Sequence, residues 1–368
     1  MSQTNNIQNN SAQISLLQQE AKQLLAKLIA TPSFSKEEDK TADLIQDYLH
    51  QKKVITERKK NNIWAINLHY DASKPTLLLN SHHDTVKANK GFTMDPFTPI
   101  EKEGKLFGLG SNDAGGCLVS LIATFLYYYE KADLPFNIIL VASAEEEISG
   151  VDGIELVLPL LPKIDFGIVG EPTLLEMAIA ERGLLVLDVV ATGKSGHAAR
   201  EEGESALYKI LPDIAWFKSF EFEKVSPLLG KVKMSVTVIE TENKQHNVVP
   251  STCKMVVDVR VNELYTFEEI LAIIAKHVQA TVTPRSLRMR STGIALDHSL
   301  IKAGLALGKG YYGSVTTSDK ALMPFPTLKM GPGDSARSHT AGEFIFVKEI
   351  EEGISTYIQL IEKMISHE

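Results

Sequence analysis

Three apolar segments of this chain end in side chains of the types that bind divalent metals. The segments and the side chains that follow them are Thr76–Leu79 with His82 and Asp84, Ile138–Ala142 with Glu145, Glu146 and Glu147, and Phe166–Val169 with Glu171. In an open α/β sheet, ligands bind beyond the carboxyl ends of the strands, so side chains that follow separate strands can meet at one edge. Nitrogen and oxygen donors without thiolates suit Zn²⁺, and also Co²⁺ or Mn²⁺. The pattern therefore predicts a metal site.

Each of these pieces also has an ordinary structural explanation. A His-x-Asp sequence after a strand often forms a hydrogen-bonded loop pair, and consecutive glutamates are usually a solvated acidic run. Side chains at i and i+2 of an extended segment point the same way, so Asp84 could hold the imidazole of His82 from behind. Asp113 could cap a helix that begins near Ala114, and His339 could be a surface histidine. The joint occurrence of the pieces favours the metal site more than any one of them does.

The elements that must position these side chains alternate between strands and helices. Apolar runs predict buried strands at Ile63–Leu68, Thr76–Leu79, Ile138–Ala142 and Phe166–Val169. The segment Gly115–Tyr129 predicts a buried helix, and Ser35 with Glu38 predicts a capping box that opens a helix ending at Leu49. This alternation predicts an α/β fold in which a mixed sheet is sandwiched by helices.

The sequence pattern changes between residues 181 and 290. Strands are predicted at Leu184–Ala191, Val232–Ile239, Met255–Val261 and Ser286–Arg290, and helices at Ala206–Phe217 and Phe267–Val278. The resulting β-α-β-β-α-β order is that of a ferredoxin-like α+β unit. We therefore predict one domain formed by residues 1–180 and 291–368, interrupted by an inserted second domain at residues 181–290.

Composition excludes several other classes of protein. The chain has 368 residues, of which 44% are hydrophobic and 23% charged, as is ordinary for a globular protein of about two domains. Its 38 basic and 46 acidic residues give a net charge of −8, so we expect no nucleic-acid partner. No apolar run approaches the roughly 20 residues of a membrane span and no signal peptide is evident, so we expect a cytoplasmic protein without a membrane partner. Two cysteines are too few for a disulfide framework or a thiolate metal site.

Seven motifs, taken in order, resemble those of the co-catalytic zinc hydrolases related to acetylornithine deacetylase. They are S-H-H-D-T-V, G-L-G-S-N-D-A-G-G, S-A-E-E-E, G-E-P-T, G-H-A-A, N-V-V-P and G-P-G-D…S-H-T. The family also contains succinyl-diaminopimelate desuccinylase, aminoacylases and some zinc carboxypeptidases, and the resemblance covers residues 15 to 366 approximately. It implies a zinc-binding α/β catalytic domain interrupted by a smaller lid domain, through which two copies form a homodimer.

The resemblance also implies two Zn²⁺ ions per subunit and assigns their ligands. His82 and Glu171 would bind the first ion, and Glu147 and His339 would bind the second. Asp113 would bridge both ions. The chemistry of such a pair is the activation of water by Lewis acids.

Further residues would take part in the reaction if the resemblance holds. Asp84 would orient a ligand imidazole, and Glu146 would be the general base. His197 of the G-H-A-A motif would reach the oxyanion of the reaction, often from the partner subunit. Asn247 of the N-V-V-P motif and Arg260 resemble the residues that hold the substrate carboxylate.

The implied activity is metal-dependent hydrolysis that removes an N-acyl group from a small-molecule amino acid. Within the family the motifs look most like acetylornithine deacetylase, which implies N-acetylornithine, or a related N-acyl-ornithine or N-acyl-citrulline, in arginine biosynthesis. A succinyl-diaminopimelate desuccinylase-like enzyme, or a di- or tripeptide metallo-exopeptidase on the same scaffold, is the alternative. A non-catalytic relative would have lost a metal ligand or the base, and all of these residues are present.

Overall fold

The computed structural model describes residues 2–200 and 202–366. The helices, in chain order, are α1 (Ser2–Ile29), α2 (Asp39–Gln51), α3 (Gly116–Tyr128), α4 (Ile154–Val157), α5 (Ala206–Ser219), α6 (Phe267–His277), α7 (Ser299–Ala306) and α8 (Val347–Ser366). The strands are β1 (Thr56–Lys59), β2 (Asn62–Ile66), β3 (Thr76–His82), β4 (Ile100–Lys102), β5 (Lys105–Phe107), β6 (Asn137–Ser143), β7 (Phe166–Val169), β8 (Met177–Glu181), β9 (Gly183–Thr192), β10 (Gly196–His197), β11 (Lys233–Thr241), β12 (Val248–Val249), β13 (Thr252–Val261), β14 (Thr281–Pro284), β15 (Thr292–Gly293), β16 (Tyr311–Ser314), β17 (Thr327–Lys329) and β18 (Phe344–Phe346). None of the helices in this part of the chain combines the length and the apolar character needed to cross a bilayer.

The chain divides into two compact units. The main unit comprises Met1–Ile179, Ile294–Tyr312 and Ser318–Glu368. The inserted unit comprises Ala180–Gly293 and Gly313–Thr317. The chain passes from the first to the second within strand β8.

A mixed sheet forms the centre of the main unit. Seven of its strands lie in the order β1-β2-β6-β3-β7-β17-β8. The central strands β6, β3, β7 and β17 are parallel to one another, whereas β1-β2, β2-β6 and β17-β8 pair antiparallel. Strands β3 and β6 are buried along their whole length, as parallel strands covered on both faces should be. A smaller antiparallel sheet has the order β18-β5-β4.

Helices cover both faces of this sheet. On one face, α3 packs against β3 and β6 and is itself in contact with α1 and α8. Almost every side chain of α3 is buried, which explains why its sequence is apolar all round. On the other face, Ile154 and Val157 of α4 pack against Trp64 and Leu78 of the sheet. The α/β fold class predicted from the sequence is confirmed.

The helix predicted after Ser35 is present as α2, but the predicted capping box was wrong. Glu38 is the N-cap residue of α2, and none of the described side chains caps that helix end. Ser35 Oγ instead donates a hydrogen bond to Asp84 Oδ2 at 2.7 Å. The carboxylate of Glu38 accepts from the backbone N–H groups of Lys36 at 2.7 Å and Glu145 at 3.2 Å. Both side chains have partners elsewhere in the fold that replace the local cap.

The inserted unit is a four-stranded antiparallel sheet with two helices on one face. The strand order is β11-β13-β9-β14. Residues of β9 and β13 alternate between buried and half-buried, and the buried set includes Leu187 and Val257. These side chains pack with Ile210 of α5 and Ile270 of α6 in one apolar core. The chain order β9-α5-β11-β13-α6-β14 is the β-α-β-β-α-β order predicted for this region.

The last strand of this unit was predicted in the wrong place. It was expected at Ser286–Arg290 and is formed by Thr281–Pro284, which pairs with β9. The carboxylate of Asp213 on α5 accepts the backbone N–H groups of Gln279 at 3.1 Å and Ala280 at 3.0 Å. These bonds fix the chain directly after α6, so the strand begins at the next residue and the later alternating residues lie in irregular backbone.

Candidate metal centre

Three parallel strands bring His82, Glu146 and Glu171 to one edge of the main sheet. His82 is the last residue of β3, and Glu146 and Glu171 follow the ends of β6 and β7. Strand β3 lies between the other two, and His82 is paired with Ser143 at the end of β6. Because the three carboxyl ends point the same way, side chains from distant parts of the sequence meet there.

His82, Asp113 and Glu171 form a first group of candidate ligands. One ligand atom of each lies within 4.8 Å of the other two. His82 Nε2 is 3.3 Å from Asp113 Oδ1 and 3.8 Å from Glu171 Oε1. The imidazole is buried and the two carboxylates are mostly buried.

Asp113, Glu147 and His339 form a second group with the same spacing of ligand atoms. His339 Nε2 is 3.0 Å from Glu147 Oε2 and 3.6 Å from Asp113 Oδ2. Asp113 therefore faces the first group with Oδ1 and the second with Oδ2. A carboxylate placed in this way can bridge two metal ions, as in two-metal hydrolytic sites.

The ring nitrogens of two adjacent histidines show which imidazole is available to a metal. His82 Nδ1 lies 3.0 Å from the carbonyl oxygen of Asp84, whereas its buried Nε2 has no hydrogen-bond partner among the described residues. Both nitrogens of His83 are engaged, by Thr41 Oγ1 at 2.9 Å and by the carbonyl of Asn61 at 2.8 Å. A histidine that binds a metal usually donates its other N–H to such an oxygen. The donor set fits a pair of divalent ions, with His82 Nε2 as one ligand atom.

The buried carboxylate of Asp84 joins the separate parts of this centre. Its Oδ1 is 3.3 Å from His82 Nδ1 and accepts the backbone N–H of Glu146 at 3.1 Å. Its Oδ2 accepts from the backbone N–H of Glu147 at 3.2 Å and from Ser35 Oγ at 2.7 Å. Burial opposes ionisation, but the hydrogen bonds from His82 and Ser35 outweigh it and lower the pKa of Asp84. Asp84 thus positions the two glutamates as well as the imidazole.

Glu146 lies beside the first group without belonging to either group. Its Oε2 is 4.0 Å from His82 Nε2. It begins a single turn of 3-10 helix, Glu146–Ile148, that is flanked by Glu145 with φ 55° and Ser149 with φ 50°. Left-handed conformations of this kind are unfavourable for residues other than glycine, and they are common at functional sites.

The crowded carboxylates of the two groups perturb one another's ionisation. Burial, together with the negative charge of Asp113, raises the pKa of Glu171 to about 8. Burial also raises the pKa of Glu146 well above its usual value, and the charge of Glu171 adds to this effect. The hydrogen bond to Glu147 raises the pKa of His339 to about 9. In the metal-free protein, protons thus occupy positions that a bound cation would take.

Sequence reasoning missed two buried acids at this centre. Glu343 is 2% exposed, and its Oε1 accepts the backbone N–H of Asp113 at 2.9 Å. Asp319 is 4% exposed, accepts a hydrogen bond from Ser143 Oγ at 2.7 Å and contributes to the raised pKa of Glu146. The position of Glu343 shortly after the C-terminal histidine motif was a usable signal, whereas nothing in the local sequence distinguished Asp319.

The remaining predicted site residues, His197, Asn247 and Arg260, belong to the inserted unit. His197 is exposed in the two-stranded β10-β12 ribbon. The carbonyl of Asn247 accepts the N–H of Ala198, the residue after His197, at 2.9 Å. Arg260 lies in β13, where its guanidinium binds both carboxylate oxygens of Asp258, at 2.8 and 3.0 Å. The unit therefore brings His197 and Asn247 into one ribbon and holds Arg260 in an ion pair. Their contacts with a substrate stay predictions.

The sequence matches a known protein family over most of its length. The family model described as "Peptidase family M20/M25/M40" matches residues 78–363. Succinyl-diaminopimelate desuccinylase 2 from Ruegeria sp. (strain TM1040) is 24% identical over 277 residues, which cover 70% of this chain and 69% of the relative. Acetylornithine deacetylase from Proteus mirabilis (strain HI4320) is 27% identical over 376 residues, which cover 92% of this chain and 95% of the relative.

Solved structures share the fold of this chain. Aminopeptidase PepT from Bacillus cereus superimposes with a TM-score of 0.74 at 17% identity, covering 94% of this chain and 98% of that chain. A Bacillus subtilis protein described as a dinuclear metal binding peptidase from the M20 family has a TM-score of 0.69 at 15% identity, covering 96% of this chain and 99% of that chain. At these identities the likeness shows the fold alone.

Metal binding at this centre is expected to release protons. At pH 7, which is below the pKa of Glu171 (about 8) and of His339 (about 9), both groups carry a proton in the metal-free protein. Metal ligands must be deprotonated, so the apparent affinity for Zn²⁺ should increase as the pH rises from neutrality through these pKa values.

The measurement is calorimetric titration of Zn²⁺ into the chelator-treated chain at pH 7, in two non-coordinating buffers that differ in ionisation enthalpy. His339→Asn should release fewer protons than the wild type. Equal heats in both buffers would contradict the expectation.

Proposed function

The chain belongs to peptidase family M20/M25/M40, and on that premise we propose that it removes N-acyl groups from amino acids with the help of two divalent metal ions. We propose Zn²⁺ as the native ion because the candidate ligands are imidazole nitrogens and carboxylate oxygens. Hydrolysis of a linear amide is the chemistry that the names of the curated relatives have in common.

The bridging position of Asp113 is the observation that carries this proposal. Its two oxygens face two groups of ligands, and each group contains one histidine and one further carboxylate. Two ions held by these groups would supply Lewis acidity and lower the pKa of a water molecule to about 7. Glu146 lies next to the first group and is not needed as a ligand, which leaves its carboxylate for proton transfer.

Glu146 is the proposed base and acid of the reaction. Its carboxylate takes a proton from water as the water oxygen attacks the acyl carbon. It then delivers that proton to the amine nitrogen as the C–N bond breaks, so that a carboxylate and an amine are the products. The hydrogen bond from its backbone N–H to Asp84 fixes the start of this segment.

The proposed substrate is an N-acyl amino acid. The first candidates are N-acetylornithine and a related N-acyl-ornithine or N-acyl-citrulline, which would place the reaction in cytoplasmic arginine biosynthesis. His197 would donate a hydrogen bond to the oxyanion, while Asn247 and Arg260 would hold the free carboxylate. Arg260 would first have to leave Asp258, with which it is paired in this structure. Desuccinylation of an N-succinyl amino acid is the second candidate, which the desuccinylase relatives support.

We also propose that the inserted unit forms a homodimer. Strand β11 is an edge of its sheet, and Val238 and Ile239 on this strand are 45% and 47% exposed. Helix α5, which is in contact with β11, exposes 74% of Tyr208 and 50% of Leu211. An exposed edge strand beside an apolar helix surface is a template for pairing with a second copy.

The base assignment predicts a specific loss in Glu146→Gln. The amide is isosteric but cannot accept the proton, so both metal ions should stay bound while kcat falls by about 100- to 10,000-fold. Elemental analysis and steady-state kinetics of the same preparation measure the two quantities. Glu145→Gln is the matched control, because this neighbouring glutamate is in neither ligand group, and it should keep most of the activity. Near-normal turnover in Glu146→Gln would refute the assignment.

The substrate proposal predicts an order of catalytic efficiencies. The zinc-loaded chain should be assayed with N-acetyl, N-succinyl and dipeptide substrates that carry ornithine, citrulline, diaminopimelate or neutral residues. We expect the highest kcat/KM for an N-acetyl derivative of ornithine or citrulline. A higher value for N-succinyl-diaminopimelate would select the second candidate, and a higher value for dipeptides would select an exopeptidase.

The dimer proposal predicts that a charge on the exposed face of α5 dissociates the protein. Tyr208→Glu combined with Leu211→Glu would place two carboxylates in the apolar contact, so the mass from light scattering should fall from two chains to one. Leu305→Glu in α7 of the main unit, at a side chain 44% exposed, is the matched control and should stay dimeric. A monomeric wild-type protein would rule out the homodimer.

A further inference from the structure

We propose that Glu343 is a positioning residue that couples Asp113 to His339. Metal binding by the second group, Asp113, Glu147 and His339, then depends on Glu343 more than metal binding by the first group does. The inference rests on the proposed two-metal function. Glu343 is 2% exposed and belongs to neither ligand group, but its carboxylate accepts the backbone N–H of Asp113, which belongs to both.

Glu343 binds the loop that carries Asp113 at four points. Its carbonyl accepts the N–H of Gly108 at 3.0 Å. Its carboxylate accepts the N–H of Gly110 at 3.2 Å through Oε2, and those of Asn112 and Asp113, both at 2.9 Å, through Oε1. These loop N–H groups are buried and need acceptors, because an unpaired buried N–H is costly. One carboxylate therefore sets the backbone position of the proposed bridging ligand.

A second anchor joins the same two segments on the other side of His339. Asn112 is fully buried, and its Nδ2 donates to the carbonyl of Asp334 at 3.0 Å while its Oδ1 accepts the N–H of Asp334 at 3.1 Å. Gly333, with φ 90°, allows this approach, because a Cβ atom there would lie 2.5 Å from Asn112 Oδ1. His339 thus lies on a segment that is attached to the Asp113 loop at both ends, through Asp334 and Glu343.

The two ligand groups depend unequally on these anchors. In the first group, His82 ends the fully buried strand β3 and Glu171 follows the buried strand β7, so the sheet itself positions both. In the second group, His339 is 53% exposed with φ 59°, and little packing holds it in place. Loss of the Glu343 carboxylate would disturb two of three ligands in the second group, His339 and Asp113, and only Asp113 in the first.

The substitution Glu343→Gln tests this coupling with little change in side-chain volume. Its amide oxygen could still accept the N–H groups of Asn112 and Asp113, but the NH₂ group would then face the N–H of Gly110, donor against donor. The full-length chain, freed of metal by chelation, should be titrated with Zn²⁺ in competition with a chromophoric chelator, so that both stepwise dissociation constants are measured. We assign the weaker constant to the second group, because His339 is 53% exposed, and expect it to rise about tenfold or more while the tighter constant changes much less.

The matched control is Asp213→Asn in the inserted unit. Asp213 is another buried carboxylate that accepts two backbone N–H groups, but it belongs to neither ligand group. It should lower the unfolding temperature and leave both zinc constants unchanged. Excess Zn²⁺ should restore turnover in Glu343→Gln and not in Glu146→Gln, because a positioning residue contributes no reacting group.

The outcomes distinguish this inference from the proposed function. Equal weakening of both steps in Glu343→Gln, or no change in either, would overturn the coupling. Uptake of a single ion by the wild type would instead overturn the two-metal function. If Glu343→Gln does not fold, Asn112→Ala removes the other anchor, and the same selective weakening of the second step is expected; its absence would count against the proposal equally.

Discussion

The hydrogen bonds of the Asp84 carboxylate are the interaction on which the rest of the centre depends. A buried carboxylate is tolerated only when its oxygens have donors, and here the donors come from three separate segments of the chain. They are Ser35 before α2, the imidazole of His82, and the backbone of Glu146 and Glu147 after β6. Because the single carboxylate of Asp84 accepts from all of them, His82, Glu146 and Glu147 cannot move independently. The sheet brings these segments to one edge, and Asp84 sets their spacing.

The same concentration of acids makes the centre unfavourable without cations. Asp113, Glu146, Glu147 and Glu171 lie around two histidines, and their mutual repulsion and burial are relieved in the metal-free chain by protons. Two divalent ions would neutralise the same charges and engage the buried Nε2 of His82, to which the described residues offer no hydrogen bond. The fold thus holds the carboxylates close together by backbone hydrogen bonds, and the divalent ions that they attract would supply the opposite charge.

Local patterns in the sequence were sufficient for the strands that end at the centre and for the α/β class. The motifs that resemble a known family then pointed to the residues that the strands bring together. The errors share one physical cause, which is that distant hydrogen bonds override local preference. Ser35 donates to Asp84 rather than capping α2, and Asp213 moves the last strand of the inserted unit from Ser286–Arg290 to Thr281–Pro284. Glu343 acts on backbone 231 residues away at Asn112, and no window of sequence contains both partners.

The place of β17 in the main sheet has a consequence for the order of synthesis. This strand lies between β7 and β8, yet the whole of Ala180–Gly293 is made before it. The side chains of the first ligand group, His82, Asp113 and Glu171, therefore leave the ribosome before β17 can join the sheet beside β7. His339 emerges later still. A growing chain consequently presents an incomplete second ligand group until the segment after β17, which carries His339, has been made.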